Sequence, residues 1–305
     1  MNPSLVGSEM CIRDRYRYII FSIFLNTTAY SSSYYNNFYS DFHNSTKTFT
    51  DNADMHEKSF HEKEEVNLPW INALVRIPLG NGEIYKGTMN DLRGNEDFPK
   101  GKFKTIIYMH GCAGHWPGTA KRIDFYAKSG YAVIAPPSMA RKKYAQSCDT
   151  SIPKGGLYRS VLKIRQIDAE NTILRAKELD WTDNRNIFLV GLSEGGITAA
   201  TYYPKNVDSS VNGRVIEGWT CNAGWEEYKG LNTPYNEPVL SLVAKYDPWF
   251  QAEYLKGHCG QFMNSNPLNK SLIVDDGTQL SKGHGLMHDS EIKKITLEFL
   301  KRISK

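Results

Sequence analysis

Two textures divide the chain. Through residue 65 the apolar positions follow no period, and SSSYYNNFYSDFHNSTKTFTDNADMHEKSFHEKEEV (31–66) is polar and spotted with aromatics. Beyond it, period appears. ALVRIPLG (73–80) and EIYKGTMN (83–90) alternate around Asn81-Gly82, the composition of a hairpin turn. KTIIYMH (104–110) is a continuous apolar run, as expected of a strand buried on both faces. TAKRIDFYAKSG (119–130) has helical spacing and ends at Gly130, a fitting cap. YAVIAP (131–136) is the next strand, halted by Pro136-Pro137. A long helix is expected near YRSVLKIRQIDAENTILRAKEL (158–179), then a strand at NIFLVGLS (186–193) and a helix at EGGITAATYY (194–203). RVIEGWTCNA, PVLSLVAKY and SLIVDD read as further strands, and DSEIKKITLEFLKRI (289–303) as the terminal helix. Strands alternating with helices predict an α/β domain over residues 66–305, built on a mostly parallel sheet covered on both faces.

Composition narrows the setting. A net charge of +4 comes from scattered Lys and Arg, without the basic stripe of a nucleic-acid binder. No apolar run is long enough to span a bilayer, so no integral membrane association is expected of the mature form. The run LVGSEMCIRD (5–14) has neither period nor turn chemistry and resembles a sequencing adapter translated in frame, so residues 1–15 are set aside as an artefact. YIIFSIFL (18–25) follows Arg13, Arg15 and Arg17 and precedes small residues. Residues 16–31 therefore read as a signal-peptide remnant and imply export; the alternative is a buried element of a cytoplasmic protein. Residues 32–65 are expected to be a flexible N-terminal segment, and His43, His56 and His61 within it solvated residues, not metal ligands. With Cys11 set aside, Cys112, Cys148, Cys221 and Cys259 allow two disulfides in three connectivities, or four buried thiols in a reducing compartment. They contain no CxxC pair, so no zinc site is expected.

Candidate chemistry centres on Gly191-Leu192-Ser193-Glu194-Gly195. The bare spacing is weak, but a strand ends at Leu192 and a helix starts at Glu194. A tight turn there would hold the Ser193 hydroxyl above the sheet edge. A serine nucleophile needs a base and the base an orienting acid, in the chain order Ser, Asp, His for this architecture. Asp247, at the end of PVLSLVAKY, is the candidate acid, ahead of Asp275 and Asp276. His284, between two glycines, is the candidate base, ahead of His288 at the helix entry and of His258. Oxyanion donors are expected from the backbone N–H of Glu194 and of Cys112 in the loop HGCAG, with Ala113 as the alternative to Cys112. His110 is expected to support that loop and to move no proton. Trp116, Trp249 and Phe250 are candidates for the acyl pocket, shaped by loops near 137–157 and 225–235. Arg165 and Asp168, three apart on a helix, are expected to pair with each other.

From about 104 to 300 the chain resembles the dienelactone hydrolase-like branch of the α/β-hydrolases. The resemblance is carried by HGCAG, SGYAVIAP, Arg141, Cys148, the RQIDA segment with Arg165 and Asp168, GLSEGG, Asp247 and His284-Gly285. It implies an eight-stranded, mostly parallel sheet, a triad of Ser193, Asp247 and His284, and no metal or organic cofactor. It also implies that Cys112 pairs with Cys148, which leaves Cys221 to pair with Cys259. Pro137 stands where the family often has an aspartate, and Ser193 where its name-giving enzymes use cysteine, so dienelactone itself is not implied as substrate. The function expected is hydrolysis of a small-molecule ester or lactone. Alternatives are a peptidase or acyltransferase with the same triad, or a binding protein on a hydrolase scaffold.

Overall fold

The computed structural model describes residues 47–92 and 101–305. The expectations placed on residues 1–15 and 16–31, and on His43, lie outside the described residues. Eight strands form one sheet: β1 (Leu74–Gly80), β2 (Glu83–Thr88), β3 (Phe103–Met109), β4 (Ala132–Ala135), β7 (Thr182–Leu192), β8 (Gly213–Glu217), β9 (Val239–Ala244) and β10 (Lys270–Val274). Their order is β2-β1-β4-β3-β7-β8-β9-β10. Only β1 runs antiparallel to its neighbours, β2 and β4. The two-residue turn between β1 and β2 carries Asn81 at φ 52° and Gly82 at φ 78°, which is why Asn-Gly sits there. Two further strands, β5 (Cys148–Asp149) and β6 (Lys154–Gly155), make a separate short ribbon.

Side chains alternate across a strand. Ile107, Met109, Ile187, Leu189, Ile216 and Val243 join one core with Ala169, Ile173 and Ala199 of two helices. Their alternates Ile106, Tyr108, Phe188, Val190, Val215 and Leu242 are just as buried on the other face. The continuous apolar runs are thus accounted for: both faces are covered. Among the described residues, five α-helices supply the cover: α1 (Lys63–Ile71), α2 (Pro117–Lys128), α3 (Val161–Lys177), α4 (Glu194–Thr201) and α5 (Ser290–Arg302). α1 packs on α3, and α3 on α4; α2 packs on β1, β2 and β4. Among the described residues, no helix is long and apolar enough to cross a membrane.

The pattern of the sequence set the start of the domain at residue 66. It falls inside α1, and the part of the expected flexible segment that is described, 47–65, forms short helical turns at Asn52–Asp54 and Glu57–His61. Met55 and Phe60 are buried in a cluster with Met139, Tyr144, Tyr158 and Ile164. Isolated apolar residues without period give no local signal, but the fold supplies a surface for them. His56 and His61 are exposed, as expected.

Candidate active site

The C-terminal ends of β3, β7, β8, β9 and β10 bring the chemically promising loops to one edge, where open α/β sheets place their sites. β7 passes into α4 through Ser193, whose φ of 59° and ψ of −120° lie outside the regions an L-residue prefers. The turn is possible because its flanks lack side chains. A Cβ on Gly191 would meet the Gly195 carbonyl at 2.0 Å, and one on Gly195 would meet the Met109 carbonyl at 2.0 Å. The Ser193 N–H donates to the Glu217 carbonyl at 2.8 Å, tying the turn to β8.

Asp247 is buried just beyond β9. One carboxylate oxygen accepts from the Trp249 N–H at 3.0 Å, capping the turn Pro248–Phe250. The other lies 2.7 Å from Nδ1 of His284. Asp247 thus both caps the turn that follows it and partners the histidine. Trp249 stacks on the His284 ring at 5.1 Å and Phe250 leans on it at 5.7 Å, fixing its plane. The second nitrogen, Nε2, is buried with no hydrogen-bond partner among the described residues. Ser193, Glu194, Cys112 and His284 line a single cavity of about 340 Å³.

The other candidates lie elsewhere. His288 is exposed at the entrance to α5, and His258 contacts Ser271 and the Gly260 N–H. Asp275 pairs with Lys245, and Asp276 accepts from Thr278. His110 is fully buried; its Nε2 accepts from the Ser138 N–H at 3.0 Å and its ring faces the Gly111 carbonyl, so it braces the loop. That loop passes beside Ser193: a Cβ on Gly111 would sit 3.5 Å from Ser193 Cβ. Glu194 opens α4, where the first N–H groups have no partner within the helix.

Both disulfides that the resemblance implied are present, Cys112–Cys148 and Cys221–Cys259. Two other expectations are corrected. Asp168 does not pair with Arg165. It accepts from Arg141 Nη2 at 2.6 Å, while Arg165 donates to the His110 carbonyl and stands 3.9 Å from Glu194. Their shared helix face meets two different loops, and each residue takes the partner in front of it. Trp116 is not in the cavity wall: it is 40% exposed and folds its indole back over Gly118. Trp249 and Phe250 do line the cavity, with Trp219, Trp225, Tyr228 and Tyr254.

Sequence reasoning missed Glu217 and Arg122. Glu217, at the end of β8, is buried and chelated by Arg122 at 2.7 and 2.9 Å. It also accepts from the N–H groups of Leu286 at 2.6 Å and Met287 at 2.9 Å. Its carbonyl holds Ser193, so one residue braces the serine turn and the histidine loop together. Burial alone would raise its carboxyl, but Arg122 and the two N–H groups outweigh that and hold it below the ordinary glutamate range. Nothing local marks such a residue, since its partner lies 95 positions away. Among the described residues no three His, Cys, Asp or Glu side chains come together to hold a metal.

No family model matches the chain, and no curated protein matches it. Solved structures do. A Klebsiella pneumoniae protein named as a dienelactone hydrolase superposes with a TM-score of 0.50 at 13% identity, over 68% of this chain and 90% of that one. An esterase of the archaeon Pyrobaculum calidifontis matches with a TM-score of 0.45 at 17% identity, over 82% and 94%. Acetyl xylan esterase 1 of Thermoanaerobacterium matches with 0.45 at 14%, over 68% and 77%. The eight-stranded, mostly parallel sheet and the first of these likenesses agree on one architecture, the α/β-hydrolase fold.

Proposed function

We propose that this α/β-hydrolase-fold chain is a serine hydrolase of carboxylic esters and lactones. The observation that carries the reading is the 2.7 Å contact between Asp247 and His284 Nδ1, beside a cavity that Ser193 enters from a strained turn. Asp247 holds the imidazole with Nδ1 protonated, leaving Nε2 as the base. Ser193 Oγ attacks the ester carbonyl carbon while its proton passes to His284 Nε2. The N–H groups of Glu194 and Cys112 carry the negative oxygen of the tetrahedral intermediate. Collapse breaks the bond to the alkoxy oxygen, which leaves with the proton from His284 as the alcohol. Water then attacks the acyl-serine, giving its proton to His284, and the acid departs as Ser193 regains its hydrogen.

The two disulfides fit an oxidising compartment, and with them we place the protein outside the cytoplasm. The test of the reaction is hydrolysis of p-nitrophenyl acetate by the protein and by Ser193→Ala. Turnover should fall by on the order of 10⁴-fold or more in the variant with an unchanged circular dichroism spectrum. Equal rates in both proteins would remove the serine mechanism.

A further inference from the structure

Resting on the serine-hydrolase reading, the cavity says more about what enters it. Six aromatic side chains wall it: Trp219, Trp225, Tyr228, Trp249, Phe250 and Tyr254. They are set by packing. Trp219 meets Phe250 edge to face at 5.6 Å, Trp225 meets Tyr228 at 5.1 Å, and a Cβ on Gly156 would already be 3.3 Å from the Trp225 ring. Among the described residues, no Lys or Arg lines the cavity. The guanidinium of Arg159 lies over Trp225 at 5.3 Å, but it is clamped by both oxygens of Glu227 at 2.6 and 2.9 Å. Glu194, the one carboxylate of the wall among the described residues, has Arg165 at 3.9 Å and accepts from Tyr144 at 3.3 Å. Burial, with Glu194 adding to it, pushes the Tyr228 phenol up, so it stays neutral at physiological pH.

We infer that the substrate is an uncharged ester whose larger group is a single aromatic ring or a branched apolar group of that size. A cavity of about 340 Å³ is a little over twice the ~150 Å³ that suffices to bind benzene. That leaves room for a ring, the ester group and a small alcohol. A substrate carboxylate would lie among aromatic walls with no counter-ion and with Glu194 nearby, an arrangement that costs too much to bind. A substrate cation would meet ring faces, but the wall's one carboxylate already has its arginine.

Three methyl benzoates that differ only at the para position test this: methyl, carboxylate and trimethylammonium. Acid release, followed by pH-stat, gives kcat/KM for each. The neutral ester should exceed both charged ones by on the order of 30-fold. Tyr254 is 63% exposed at the cavity mouth; Tyr254→Arg should raise kcat/KM for the carboxylate ester about fivefold relative to the neutral one. A carboxylate ester turned over as fast as the neutral one overturns the inference, and so does a preference for the trimethylammonium ester. If no ester is hydrolysed and a fluorophosphonate leaves Ser193 unlabelled, the hydrolase reading has failed by itself. Calorimetry of the three esters on Ser193→Ala then decides the cavity's preference separately. Tighter binding of the neutral ester keeps the inference, and equal or reversed affinities overturn it.

Discussion

Ser193 and Glu217 show how differently a site announces itself residue by residue. Ser193 lies in a local pattern, two glycines around a serine at a strand-to-helix junction, and the pattern has a local cause in the 2.0 Å approaches that forbid side chains. Asp247 and His284 were singled out because each follows a strand in the chain order that the chemistry expects, and the structure brings the two side chains within 2.7 Å of each other. Glu217 and Arg122 were not, because a buried ion pair between positions 95 apart leaves no trace in either neighbourhood. The same pair makes a prediction. Glu217 has its carboxyl lowered by folding, so its contribution to stability is full above the ordinary glutamate value of 4.5 and is lost as pH falls through the lower folded value. Glu217→Gln removes that charge, leaves Arg122 without its counter-ion, and should cost about 3 kcal/mol at pH 7. Thermal melts of both proteins between pH 7 and pH 3 should show curves that converge in acid. A gap as wide at pH 3 as at pH 7 would mean that the carboxylate's charge is not what stabilises.

Elements were easier to read than their contacts. Alternation and continuous apolar runs marked the eight main strands, and the 3.6 residue period four of the five described helices, while the two-residue strands β5 and β6 are too short to carry either signal. Trp116 illustrates the failing: nearness in sequence to the HGCAG loop suggested the cavity, but the start of α2 turns its ring back over Gly118. Disulfides lie between these cases, since spacing alone left three pairings open and only the family resemblance chose one. Cys221–Cys259 joins the segment after β8 to that after β9, closing a separation of 38 residues. Loop entropy assigns it roughly 4 kcal/mol. Cys221 also sits at φ 62°, a conformation costly to any side chain. Replacing the pair with Cys221→Ala and Cys259→Ala should lower Tm by roughly 8–15 °C. Cys221→Gly with Cys259→Ala should recover about 1 kcal/mol of that by relieving the backbone. Equal melting of the two double variants would show that the disulfide does not hold a strained residue.

At the scale of the whole molecule, the segment from Lys47 to Glu62 links the surface to the candidate site. Thr50 and Tyr144 exchange hydrogen bonds, Thr50 N–H to the Tyr144 carbonyl at 3.0 Å and Tyr144 N–H to the Thr50 hydroxyl at 3.2 Å. The Phe60 carbonyl accepts from Arg141 at 2.8 Å, and Arg141 holds Asp168 of α3. Tyr144 in turn donates to Glu194, the residue after Ser193. A strap with no periodic pattern thus carries one side of the loop that supports the serine turn. Its meaning comes from the surface it covers, which is why composition alone marked it as flexible. Burying Met55 and Phe60 is worth roughly 1.5–3 kcal/mol each. A chain starting at Val66, the boundary that the pattern suggests, should be less stable in urea by roughly 3–6 kcal/mol than one starting at Lys47. It should also lose turnover per folded molecule, because Tyr144 then holds Glu194 less firmly. Midpoints that coincide would show that the strap only lies on the domain. A lower midpoint with unchanged turnover would show that it holds the fold without reaching the serine.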